Sequence, residues 1–214
     1  MSTRRLQPGD YARADRLLAR RDPVLRGLIR QHGPCGLANS HREDPFVAGV
    51  EAIVWQQLSG KAAATIYRRV VALLPGGVVT PVALLAVPEQ DLRAAGLSRA
   101  KIAYVRDLAG RVLDGRLHLD TFEDMDDESV IAELTAVKGI GRWTAEMFLM
   151  FRLQRPDVLP VGDLGIVNAI RRAYGLRKPP TAARMTKIAE SWRPYRSIAC
   201  WYLWQSLDVV APGQ

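Results

Sequence analysis

The sequence is short of the residues that usually build metal and redox sites. It has two cysteines, Cys35 and Cys200, and three histidines, His32, His41 and His118, among 214 residues. Two cysteines cannot form a disulfide framework or a Cys-rich metal or cluster site. The histidines show no paired ligand spacing. No metal and no cofactor is therefore expected. Long apolar runs are missing too: nothing approaches the ~20 residues needed to span a bilayer. The opening MSTRRLQPGDYARAD lacks the apolar stretch of a signal peptide, so a cytoplasmic protein is expected. Strand-like alternation is nearly absent, since Val78-Val79-Thr80 is too short to define a sheet. There is no long linker, low-complexity tract or evident internal repeat.

What remains is helical periodicity and positive charge. Thirty Lys and Arg against 22 Asp and Glu leave a net charge of +8. This excess favours a polyanionic partner without identifying one. Apolar spacing predicts helices at about 10–20, 22–31, 45–58, 60–74, 88–95, 98–114, 127–136, 142–153, 164–174, 181–192 and 195–208. Asp44 before Pro45, Pro88 before Glu89 and Asp91, and Asp126 before Asp127 and Glu128 are legible helix starts. The acids around Glu123 and Asp124 lack calcium-loop spacing and read as solvated helix-start residues. The fold class expected is all-α, built from short helices joined by small loops.

Two stretches carry chemistry. In 136-AVKGIGRWTAEMF-148, Gly139-Ile140-Gly141 separates an amphipathic run bearing Ile131, Leu134 and Val137 from a helix starting near Arg142. A dinucleotide fingerprint would need a preceding strand and a third glycine where Thr144 stands. A helix–hairpin–helix fits instead. Glycines permit unusual backbone angles and close approach of another molecule, and amides at a helix start favour an anion. Lys138 and Arg142 add flanking charge, and Ile140 can anchor the turn. A DNA phosphate is the natural ligand; an ordinary tight turn is the competing account. In 158-VLPVGDLGIVNAIRRAYGL-176, Asp163 stands where a helix N-cap belongs. A carboxylate there can also stabilise positive charge at a sugar C1′ or orient a water.

LTAVKGIGRWTAEMF followed by VLPVGDLGI resembles the helix–hairpin–helix/Gly-Pro-Asp superfamily of DNA glycosylases. Within it, the likeness is to the alkylation-repair branch, the 3-methyladenine DNA glycosylase II type. The segments 53-IVWQQLSGKAAATI-66, 96-GLSRAKIAYVRDLA-109 and 192-WRPYRSIACWYLW-204 extend the resemblance over about residues 10–210.

The resemblance implies roles residue by residue. Asp163 matches the catalytic carboxylate. Lys138, Gly139, Ile140, Gly141, Arg142 and Thr144 match the phosphate-binding hairpin. Leu58 matches the wedge that fills the gap left by an extruded base, although the apolar pattern from Ile53 onward favours a core position. Trp143 and Trp204 match residues lining the base pocket. Helical spacing also places Trp143 on a core stripe with Met147, Met150 and Phe151.

Bifunctional relatives carry a lysine where this chain has Trp143, so base removal without strand cleavage is implied. The expected partner is double-stranded DNA containing damaged bases, bound by a monomer. The implied fold has two helical lobes, approximately 45–155 and 1–44 with 156–214. The N-terminal β-rich domain of longer members is expected to be absent. Alternatives are a glycosylase for deaminated, oxidised or mismatched bases, or a non-catalytic damage-binding protein.

Overall fold

The computed structural model describes residues 5–39 and 44–207. Among these are twelve α-helices, four short 3₁₀ turns and no strand, as an all-α reading expects. In chain order they are α1 (Pro8–Arg21), α2 (Pro23–His32), α3 (Pro45–Trp55), α4 (Gly60–Ala72), α5 (Pro81–Ala86) and α6 (Glu89–Ala95). There follow α7 (Arg99–Leu113), α8 (Asp127–Thr135), α9 (Arg142–Phe151), α10 (Leu164–Ala173), α11 (Ala182–Ala189) and α12 (Arg196–Gln205). His41 and position 208 of the predicted closing helix lie outside the described residues.

Two helices differ from the periodicity. The six-residue α5 was not expected, yet Pro81 opens it and the Thr80 hydroxyl accepts from the Ala83 amide at 3.2 Å. Helix α3 ends at Trp55 rather than at 58, because Gln57 takes φ 55° and turns the chain out of the helix. Elsewhere the predicted starts hold. Asp44 accepts from the Phe46 and Val47 amides, and Asp126 accepts from the Glu128 and Ser129 amides.

The chain divides into two compact units, Met1–His41 with Leu149–Gln214, and Arg42–Phe148. In the first, α12 is buried from Arg196 through Trp204. A helix surrounded on all sides becomes the core of its unit. Asp22 fixes the corner between α1 and α2. It is 5% exposed and accepts from the Val24 and Leu25 amides, the Tyr174 hydroxyl at 2.6 Å and the Trp192 indole at 3.0 Å. A buried carboxylate requires such a full set of donors. Arg196 is similarly held by Asp157 at 2.7 Å.

The second unit is organised by α7, which packs against α3 and α5. Gly49 lets α3 approach α7 closely, since a Cβ there would lie 2.9 Å from Leu108 Cδ2. Phe122 and Phe148 meet edge-on, with ring centroids 6.1 Å apart.

Candidate functional site

In the second unit, α8 leads into the glycine turn and α9 leaves it. Leu134, Val137 and Ile140 are buried and anchor the turn, whereas Lys138, Gly139 and Gly141 are exposed. The two glycines answer different demands. Gly139 has φ 79°, and a Cβ on it would fall into the Tyr104 ring of α7, so only glycine fits. Gly141 would meet nothing within 4 Å. No contact among the described residues requires glycine at 141, and the residue is exposed.

Two of the turn's amides are engaged internally. Lys138 N–H donates to Asp107 Oδ2 of α7 at 2.9 Å, and Ile140 N–H donates to the Val137 carbonyl at 3.1 Å. The Gly139 and Gly141 amides make no such bond among the described residues. Amides at and just before a helix start are the groups that favour an anion. Burial opposes ionisation of Asp107. The Lys138 amide and the Arg111 guanidinium outweigh that opposition and hold the carboxyl below its usual range.

Arg142 is less available than the sequence suggests. Its guanidinium bonds both Glu128 oxygens, at 2.6 and 3.0 Å, and Glu146 at 3.1 Å. The hydrogen bond and charge of Arg142 keep the Glu128 carboxyl below its usual range. Trp143, one residue on, is 44% exposed, whereas Met147, Met150 and Phe151 are buried. The core stripe therefore excludes Trp143, which sits on the first turn of α9 at the stripe's open end.

Leu58 lies on the loop between α3 and α4, 38% exposed, and does not join the core. Residues that the sequence reading passed over hold this loop. Lys101 Nζ of α7 donates to the Val54 and Gln56 carbonyls at 2.6 and 2.8 Å, and Gln56 Nε2 donates to the Gly139 carbonyl at 2.8 Å. Lys101, Tyr104 and Asp107 thus occupy one face of α7 at helical spacing. That repeat was the signal available in 96-GLSRAKIAYVRDLA-109.

In the first unit, Asp163 caps α10. It is 7% exposed, and its Oδ1 accepts from the Ile166 amide at 2.7 Å and from Trp204 Nε1 of α12 at 3.0 Å. Two donors from different elements fix the carboxylate's orientation. Trp204 is 2% exposed and stacks on Phe151 at 5.9 Å, so its visible task within this unit is to hold Asp163. Gly165 makes this possible: a Cβ there would stand 3.0 Å from Asp163 Oδ1 and 3.1 Å from the Trp204 indole. A glycine in the first turn of an otherwise regular helix was the overlooked sign of this close approach.

A family model described as "HhH-GPD superfamily base excision DNA repair protein" matches residues 50–194. The chain is 36% identical to DNA-3-methyladenine glycosylase 1 of Schizosaccharomyces pombe, covering 77% of this chain and 73% of the relative. The solved structure of the Schizosaccharomyces pombe 3-methyladenine DNA glycosylase Mag1 with abasic DNA superposes with a TM-score of 0.76 at 32% identity. The match covers 92% of this chain and 98% of that one. A Bacillus halodurans DNA-3-methyladenine glycosidase structure matches with a TM-score of 0.73 at 38% identity, over 86% and 89% of the two chains. The helix–hairpin–helix turn, the capped aspartate after it and these likenesses agree: the chain belongs to the HhH-GPD superfamily of base excision DNA repair proteins.

Proposed function

We propose that this protein is a monofunctional DNA glycosylase that removes alkylated purines of the 3-methyladenine and 7-methylguanine type from duplex DNA. The observation that carries the chemistry is Asp163, held by the Ile166 amide and the Trp204 indole at the mouth of α10. The named activities of the relatives support the choice of substrate class.

The damaged nucleotide leaves the stack, and Leu58 enters the gap. Lys138, the Gly139 and Gly141 amides and the start of α9 hold backbone phosphate, with Ile140 fixing the turn from inside. Trp143 offers its indole face to the cationic purine. Trp204 serves the base through the carboxylate it orients. The C1′–N bond breaks with its electron pair passing to the base, which leaves neutral because it was cationic. No general acid is needed for that departure. Asp163 stabilises the oxocarbenium-like sugar. Water then adds its oxygen to C1′ and loses a proton, leaving an abasic site on an intact strand. The protein works as a monomer on cytoplasmic DNA, at the nucleoid in a bacterial cell.

The test is chromatographic measurement of free bases released from methylated duplex DNA. Release of 3-methyladenine or 7-methylguanine is expected; release of neither overturns the reading. Borohydride is expected to trap no covalent protein–DNA adduct, because Trp143 provides no amine to form a Schiff base. A strong trapped band would overturn monofunctionality.

A further inference from the structure

We propose that Lys101 and Gln56 are positioning residues that join the Leu58 wedge to the phosphate-gripping turn, so that gripping the backbone and filling the vacated stack are acts of one rigid element. This rests on the glycosylase reading and deepens it.

Leu58 projects from a loop that has little reason to hold its shape alone. Its neighbour Trp55 is exposed, and so is every residue from Gln57 to Gly60, so none of them is seated in the core. Gln57 adopts φ 55°, a left-handed conformation that glutamine disfavours and that surrounding contacts must impose. The contacts that impose it are polar. The last carbonyls of α3 have no acceptor role inside the helix, and an ammonium at that negative end is favoured. Lys101 Nζ supplies it, donating to the carbonyls of Val54 inside α3 and Gln56 just beyond it. Burial lowers the pKa of this lysine from its ordinary value.

Gln56 closes the connection. Its side-chain amide donates to the carbonyl of Gly139, the residue whose left-handed turn is seated on Tyr104. Three positions on one face of α7 therefore act on two functional loops. Lys101 holds the wedge loop, while Tyr104 and Asp107 hold the glycine turn by packing and through the Lys138 amide. Displacing the turn by a fraction of an ångström moves the Gly139 carbonyl and, through Gln56, the base of the wedge.

The experiment compares the full-length protein with Lys101→Met and Gln56→Leu on two substrates, methylated duplex and the same methylated strand unpaired. The unpaired strand needs no wedge, because its bases are already accessible. Lys101→Met is expected to slow single-turnover release from duplex about tenfold while changing release from the single strand less than about twofold. Gln56→Leu alters a half-buried side chain outside the core and is expected to leave folding intact and to shift the same ratio in the same direction. The double variant is expected to be no worse than the weaker single one, because both break one connection. The fluorescence of 2-aminopurine placed beside an abasic site reads unstacking without catalysis and is expected to fall in both variants. Parallel losses on both substrates, or an unchanged fluorescence signal, overturn the proposal. Wild-type protein that unstacks 2-aminopurine but releases no base overturns the glycosylase reading and leaves this one standing.

Discussion

Helices α9 and α10 both begin at glycine-containing turns, yet one start is filled by a carboxylate and the other holds no acid in its first turn. At α10, Asp163 occupies the N-cap and accepts the Ile166 amide, so the positive end of the helix meets its own carboxylate. At α9, the first turn holds no acid, and its first residue is the cation Arg142. A cation there works against the helix dipole. Glu128 and Glu146 hold it in place. The difference separates two tasks that helix starts can serve. A start filled by a carboxylate can orient that group for chemistry; a start without one is suited to an anion from outside.

The largest effect that would break this comparison comes from Asp163. Asparagine also caps helices, so Asp163→Asn is expected to leave the unfolding midpoint nearly unchanged while base release falls at least a hundredfold, on the order of the loss of a transition-state electrostatic partner. Binding to lesion DNA is expected to persist. Asp163→Ala adds the loss of the cap, about 1 kcal/mol in unfolding experiments. If Asp163→Asn releases bases at the normal rate, Asp163 is only a cap and the two helix starts do not differ in function. Gly165→Ala probes the same arrangement through Trp204, and its activity is expected to fall with little loss of DNA affinity.

The two glycines before α9 sharpen the contrast. Gly139→Ala places a Cβ in the Tyr104 ring at a positive φ, and a destabilisation of about 2 kcal/mol or more is expected from denaturant unfolding. Gly141→Ala meets no protein atom, so stability is expected to hold while affinity for abasic duplex drops about tenfold through closer crowding of the phosphate. Equal behaviour of the two variants would remove the distinction between a glycine the fold needs and one the ligand needs.

Leu58→Ala comes next. Because Leu58 is 38% exposed, its truncation leaves no core cavity, and thermal stability is expected to stay within about 0.5 kcal/mol of the parent. Duplex activity is expected to fall about tenfold, by loss of the group that fills the stack. Matching losses of stability and activity would return Leu58 to a structural role.

These residues also show which parts of the molecule were legible beforehand. Helix starts were, because a cap is local: Asp44, Asp126 and Asp163 each accept amides two or three residues ahead. The end of α3 was not, because a glutamine gives no sign that it will turn left-handed, and the cause lies 45 residues away in Lys101. Trp143 satisfied the apolar period yet lies at the edge of the buried stripe, a position set by where the turn releases α9 and not by spacing. Trp204 was found as an aromatic but not as the donor to Asp163, since that bond crosses 41 residues and depends on Gly165 having no side chain.

The smallest effect tests whether the start of α9 is partly masked. Glu128 and Arg142 are both more than half exposed, with side-chain exposures of 64% and 56%, so their ion pair contributes little to stability. It does occupy the guanidinium that follows the glycine turn. Glu128→Gln removes that competitor while keeping the shape of the side chain. Affinity for abasic duplex is expected to rise about threefold at low salt, and the gain is expected to shrink as ionic strength rises, because an exposed charge is screened. Fluorescence anisotropy over a salt series reads both. An unchanged affinity at low salt would mean that Arg142 faces its carboxylates and not phosphate, leaving Lys138 and the backbone amides as the whole of the grip at this turn.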